Sequence, residues 1–324
     1  MKKVLLLAVM AVQFSAALCQ RAEVAPLLST EWGQDEPYNA FCPEYYTNNG
    51  KSHPCKAGCV AVAMAQVMNY YRYPMMTLER ISGYKNPVVW MSYKGEYGVP
   101  TEHTVSLNAI PANAWIDWEN MVDRYTGNET AEQKEAIAWL MLYCGESVLM
   151  KYDMSSSADP RSISGALQQK FGYAPTTRYV ARADYSEDAW TELLYKELAE
   201  GRPVIYGGLK SDGSGHSFIL DGYKDGLFHV NWGGLGYNND YYSLNQMDPE
   251  KQRSDDGTSG TDVNNGYNHE QDAIIGISPY YIYNDNPAGS RADNRVYDLT
   301  RGFIQCTTLK KGIYIINGRK IAIK

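Results

Sequence analysis

Hydrophobic positions repeat at two different spacings along this chain, and the spacing changes near its middle. Between Cys59 and Tyr71 the apolar residues Val60, Met64, Val67, Met68 and Tyr71 recur at helical intervals, and Pro74 stops the run. A second helix is signalled by Thr130-Ala131-Glu132-Gln133, which reads as a capping box. Ile137, Leu140, Met141 and Cys144 form its apolar stripe, and Gly145 is its expected end. Shorter helices are expected over 162–171 and over 187–200, the latter capped by Ser186 and stopped by Gly201. From Pro203 onward the runs PVIYGG, HSFILDGY and LFHVNW are short and β-rich. Lys224-Asp225-Gly226 joins the last two as a hairpin turn. Residues 75–125 show no usable period, and the polar stretch 250–272 reads as a loop. Helices in the first half and antiparallel strands in the second predict an α+β fold of two subdomains with a cleft between them.

The two ends of the chain differ from this body. MKKVLLLAVMAVQFSAALCQ has two lysines, an apolar run and then small residues, the layout of a secretory signal peptide over 1–19. A lipoprotein signal with Cys19 as the modified residue is the rival, and Leu18 is bulky for it. No later run approaches the roughly 20 apolar residues of a membrane span. The body then occupies 20–279. NDNPAGSRADN resembles a linker over 280–295, and 296–324 is a short β segment with a hairpin around Asn317-Gly318.

Charge and cysteine content narrow the chemistry. The net charge of −7 gives no global basic field to attract nucleic acid or anionic lipid. After cleavage of a signal peptide five cysteines remain: Cys42, Cys55, Cys59, Cys144 and Cys306. An odd number in an exported chain leaves at least one thiol unpaired within it. Cys144 lies on a helix stripe and reads as core.

Cys59 is the candidate nucleophile. It stands at a predicted helix start, where free N–H groups and the helix dipole favour a thiolate, and Gly58 before it leaves room for a substrate backbone. Cys55 has no such support. Three other readings of these residues stay open: a Cys42–Cys55 disulfide, a Cys55–Cys59 disulfide, and a zinc site from Cys42, His53, Cys55 and Cys59 whose spacing fits no common finger. A base must come from His53, His103, His216, His229 or His269. His216 stands out in SGSGHSFILDGY, at a strand start after glycines and 157 residues beyond Cys59. Asn231-Trp232 follow on the next strand. Strand register decides which of them faces His216, and a slip of one residue swaps them.

Together GCVAVAMAQVMNYYRYP, GHSFILDGY and HVNWGG resemble the streptopain family of papain-like cysteine peptidases, with WGQDEPYN, DWENM and GRPVIYGG in support. The resemblance implies a peptidase acting on proteins or peptides, with neither metal nor cofactor. It implies Cys59 as nucleophile, His216 as base, Gln34 in the oxyanion hole and Trp232 against the histidine. Asn231 stands in the orienting position of more distant papain-like enzymes. The family's substrate side falls on Ser155, Ser156, Ser157 and Gly215. Two departures are visible: NWGGLG puts Gly234 where the family has a second tryptophan, and no prodomain separates the signal peptide from residues that align with mature enzyme. The end GIYIINGRKIAIK resembles C-terminal sorting signals of Bacteroidetes, which implies contact with secretion machinery. An inactive protease-like binding or inhibitory protein, and an amidase or transamidase using the same dyad, are the alternatives.

Overall fold

The computed structural model describes residues 21–46, 51–94, 97–250 and 266–280, together with four short strands between 296 and 323. A small hairpin, β1 (Glu44–Tyr46) and β2 (Ser52–Pro54), leads into α1 (Cys59–Tyr71). Ten successive residues of α1, Val60 to Asn69, are buried, so this is a central helix and not a surface one with a single apolar stripe. It ends at Arg72, whose left-handed backbone (φ 47°) turns its N–H onto the Asn69 and Met68 carbonyls.

The stretch 75–125 is more regular than its composition predicts. It holds a long antiparallel hairpin, β3 (Lys85–Lys94) and β4 (Tyr97–Ser106). Helix α2 (Ala131–Ser147) opens with the expected capping box: Gln133 N–H donates to Thr130 Oγ1 at 3.3 Å and Thr130 N–H donates to Gln133 Oε1 at 2.9 Å. It does not stop at Gly145. That glycine is helical and lies against the Tyr152 hydroxyl, where a side chain would collide, so packing explains it better than capping does. Helix α3 (Ser162–Phe171) follows, then β5 (Arg178–Ala181) and α4 (Glu187–Ala199), the last capped by Ser186 as expected.

The second half forms most of one antiparallel sheet. Its strands are β6 (Val204–Leu209), β7 (Gly215–Lys224), β8 (Leu227–Asn231), β9 (Asp240–Tyr242) and β10 (His269–Ile275), and its order is β5-β10-β6-β7-β8-β9. The β7–β8 turn is a two-residue turn with positive φ at Asp225 (49°) and Gly226 (86°), as the sequence predicts. Strand β10 begins inside the stretch read as a loop, and β5 comes from the helical half to pair with it. Alternation along the strands divides the interior. Ile205, Ile219 and Ile274 join the core of α1 and α2, whereas Val204, Tyr206, Phe218 and Leu220 pack with Trp190, Leu194 and Leu198 of α4. Both faces are covered, which is why these strands read as continuous apolar runs.

The terminal strands β11 (Val296–Asp298), β12 (Gly302–Ile304), β13 (Gly312–Ile316) and β14 (Arg319–Ile323) form a separate sheet of order β12-β11-β13-β14. Its β13–β14 pair, with Ile316 opposite Arg319, is the expected hairpin, and two further strands extend it. The signal-peptide stretch 1–19, the linker 281–295, Cys306 and the turn residues Asn317 and Gly318 lie outside the described residues. Among the described residues no helix is long and apolar enough to cross a membrane.

Candidate active site

The site begins with a glycine. Gly58 has φ +90°, a conformation that L side chains rarely adopt, and a Cβ there would lie 2.6 Å from the sulfur of Met150. It presents Cys59 as the first residue of α1. No side chain caps this helix start and no acidic residue lies in its first turn. The free N–H groups are therefore available to the cysteine sulfur, and Val60 N–H bonds to it.

The loop before Gly58 is held from two sides. On one, Cys55 N–H donates to Pro43 O (2.7 Å) and Ala57 N–H donates to Gln34 O (3.0 Å). On the other, Lys56 N–H donates to Asp153 O (3.1 Å), and the Ser156 hydroxyl donates to Lys56 O (2.6 Å). Ser156 is buried and its hydroxyl is taken up in bracing this loop; Ser155 and Ser157 are exposed beside it. Gly215 is exposed at the first position of β7. Gln34, half-buried, is brought to the loop before Cys59 through its own backbone.

His216 reaches Cys59 from β7. Its Nε2–H donates to the Trp232 carbonyl at 2.9 Å, which leaves Nδ1 for the hydrogen bond with the Cys59 thiol. The Trp232 ring stacks alongside at 6.3 Å and 16°. Asn231 does not orient the histidine. Ile219 pairs with Asn231, a bulge follows between Leu220 and Gly222, and the Asn231 side chain turns into the interior. There its amide exchanges two 3.3 Å hydrogen bonds with the Gln66 amide of α1 and donates to Thr30 O at 2.7 Å. It ties the helix to the sheet behind the site.

Burial raises the Cys59 thiol, but the His216 hydrogen bond and charge, with the N–H groups of Ser217 and Val60, outweigh it and leave the thiol below its ordinary value. Burial lowers His216, and Cys59 and the Trp232 carbonyl outweigh that in turn, so the imidazole lies above its ordinary value. Opposite shifts on touching groups favour the thiolate–imidazolium form over the neutral pair. Cys55 is different: it is fully buried and burial pushes its thiol up to about 12. Cys42 and Cys144 are likewise buried and raised, and Cys144 contacts Met68 sulfur at 3.6 Å, as a core residue. All four described cysteines are free thiols. Among the described residues no cluster of three or more His, Cys, Asp or Glu side chains is placed to hold a metal ion, so the zinc and disulfide readings have no support there.

The sequence reading missed Tyr267. Its ring lies 5.2 Å from His216 and 6.1 Å from Trp232, and Lys210 Nζ sits 5.1 Å from its centre. It lies in the polar stretch before β10, where no local pattern marks it.

A cysteine on a helix start facing a histidine on an antiparallel sheet is the arrangement of the papain-like fold. The chain belongs to the peptidase C10 family, whose model matches residues 32–242. It is 34% identical over 256 residues to streptopain of Streptococcus pyogenes, covering 76% of this chain and 60% of that protein. It is 32% identical over 270 residues to the thiol protease/hemagglutinin PrtT of Porphyromonas gingivalis, covering 80% of this chain and 28% of that one. The chain thus spans about three fifths of the length of streptopain. Its fold is similar to that of the active wild-type Prevotella intermedia interpain A cysteine protease, with TM-score 0.59 and 33% identity over 78% of this chain and 94% of that one.

Proposed function

We propose that this protein is an exported cysteine endopeptidase that cleaves proteins or peptides with Cys59 and His216. The observation that carries the reading is a thiol at a helix start, hydrogen-bonded to a histidine whose other nitrogen is held by a backbone carbonyl. The Cys59 thiolate attacks the peptide carbonyl. The developing oxyanion is met by Cys59 N–H and the Gln34 side-chain amide. His216 gives its Nδ1 proton to the leaving amine, and a thioester remains on Cys59. His216 then takes a proton from water as it attacks the thioester, and the acid and the thiol are released.

The ion pair sets the pH dependence. The reactive form appears as pH rises through the lowered Cys59 value and disappears as pH rises through the raised His216 value. kcat/KM should therefore follow a bell, and iodoacetamide should alkylate Cys59 at a lower pH than it does an ordinary thiol of pKa about 8.5. Alkylation that rises only above about pH 8, as for an unperturbed thiol, would count against the pair.

Export is assigned to residues 1–19 as signal peptide, and the strands beyond 295 to a tail read by secretion machinery. The tail's sheet is separate from the six-stranded sheet, and among the described residues the body's C-terminal end is held by Ala174 N–H donating to Ser278 O (2.9 Å) and Tyr280 N–H donating to Gly172 O (3.3 Å). A chain truncated after Tyr280 should fold and cleave peptides in vitro, and should stay in the cell envelope of its host. An unfolded or inactive truncated chain would make the tail structural instead.

A further inference from the structure

The loop that follows Trp232 has an unusual build. Four of its residues take positive φ: Gly233 (68°), Leu235 (59°), Gly236 (79°) and Asn238 (56°). Leucine is rare in that region of the backbone. The loop closes back on Trp232, whose N–H donates to Asn239 Oδ1 (3.0 Å) and whose indole N–H donates to Asn238 O (3.1 Å). Its tip is fastened across the site by Leu235 N–H donating to Trp32 O at 3.1 Å. The Leu235 side chain lies on Gly33, so close that a Cβ there would be 2.8 Å from Leu235 Cδ2. Gly33 is the neighbour of Gln34. Leu235 is nevertheless 58% exposed, and Tyr237 on the same loop is 75% exposed. Gly234, just before Leu235, meets nothing within 4 Å of where a side chain would begin. A large apolar side chain is thus held in a rare conformation, half in water, between the residue that orients His216 and the residue beside Gln34.

The chemistry gives this surface a place on the substrate. His216 must reach the leaving nitrogen, so the residue that carries this nitrogen passes the histidine. The loop at 153–157 instead braces the segment just before Cys59, next to Gly58. We propose that Leu235, with Tyr237 beside it, forms the contact for the residue immediately after the cleaved bond, and that this residue is preferably a large apolar one. The proposal rests on the peptidase reading above. Leu235 presents no charge or hydrogen-bonding group, so a large apolar partner gains by covering it and an acidic one loses hydration without compensation.

Competition for the acyl-enzyme tests the idea without needing a cleavage site. An added amine attacks the thioester carbonyl: a C–N bond forms, the C–S bond breaks, the amine proton passes to His216, and the thiolate–imidazolium pair is restored. Leucinamide should capture the acyl group roughly ten-fold more effectively than aspartic acid amide or glycinamide, a discrimination typical of an apolar contact. In Leu235→Gly and Leu235→Asn, which suit the left-handed backbone, that ratio should fall to about two-fold or less, and in Leu235→Met it should be kept. An active enzyme that is captured equally by the three amines, or whose preference survives in the glycine and asparagine variants, overturns the proposal and leaves the peptidase reading intact. Failure of the wild-type protein to form any acyl-enzyme overturns both.

Discussion

Replacing Cys59 by alanine should lower peptide hydrolysis by roughly 10⁴–10⁶-fold, because the thioester cannot form and only binding and the oxyanion site remain. The fold should survive. Cys59 is half-buried at the edge of the core, and the change removes one sulfur from a helix start whose N–H groups can turn to water. Cys55→Ala is the matched control. Cys55 is fully buried, its thiol is pushed up to about 12 by that burial, and no histidine is among the groups that shift it. Its loss should cost about 1–2 kcal/mol of stability through a small cavity, with most turnover kept. Activity assays beside thermal melts of both variants decide the matter. Equal loss of activity in the two, at equal stability, would mean that the cysteines work as a pair and that Cys59 is not the sole nucleophile.

Replacing Gln34 by alanine should lower kcat by roughly 10²–10³-fold with little change in KM, since an oxyanion donor acts on charge that develops only after binding. The backbone that places it should persist. Gln34 O accepts the Ala57 N–H, Trp32 N–H reaches Gln66 Oε1 at 3.4 Å, and Trp32 O accepts the Leu235 N–H, so residues 32–34 are fixed at both ends by groups other than the amide. Steady-state kinetics on one peptide substrate separate the outcomes. A variant that raises KM and spares kcat would move Gln34 from the oxyanion to ground-state binding.

Much of the site was legible because its parts are local. A helix beginning after a glycine and a cysteine at its first turn are written in consecutive residues, and so is the strand start at His216 after its glycines. The capping box at Thr130 and the Asp225-Gly226 turn are equally local, and both stand where the sequence puts them. Gly145 was misread because a glycine that relieves a contact and a glycine that ends a helix look alike until the partner, Tyr152, is in place.

The period of the chain by itself determined the α+β class, the position of Cys59 on a helix and the position of His216 on a strand, because hydrophobic spacing reports which face of each element is buried. What holds His216 was decided only in three dimensions. Asn231 and Trp232 are neighbours with equal claim along the chain. The bulge at Leu220 and Gly222 sets the β7–β8 register, Asn231 turns inward to Gln66, and the carbonyl of Trp232 is left for the imidazole. Tyr267 and Leu235 reach the site in the same way, from loops fastened by hydrogen bonds to residues far away in sequence. Periodicity encodes faces, but register and loop closure depend on which distant groups satisfy each other's hydrogen bonds, and no stretch of the chain carries that information alone.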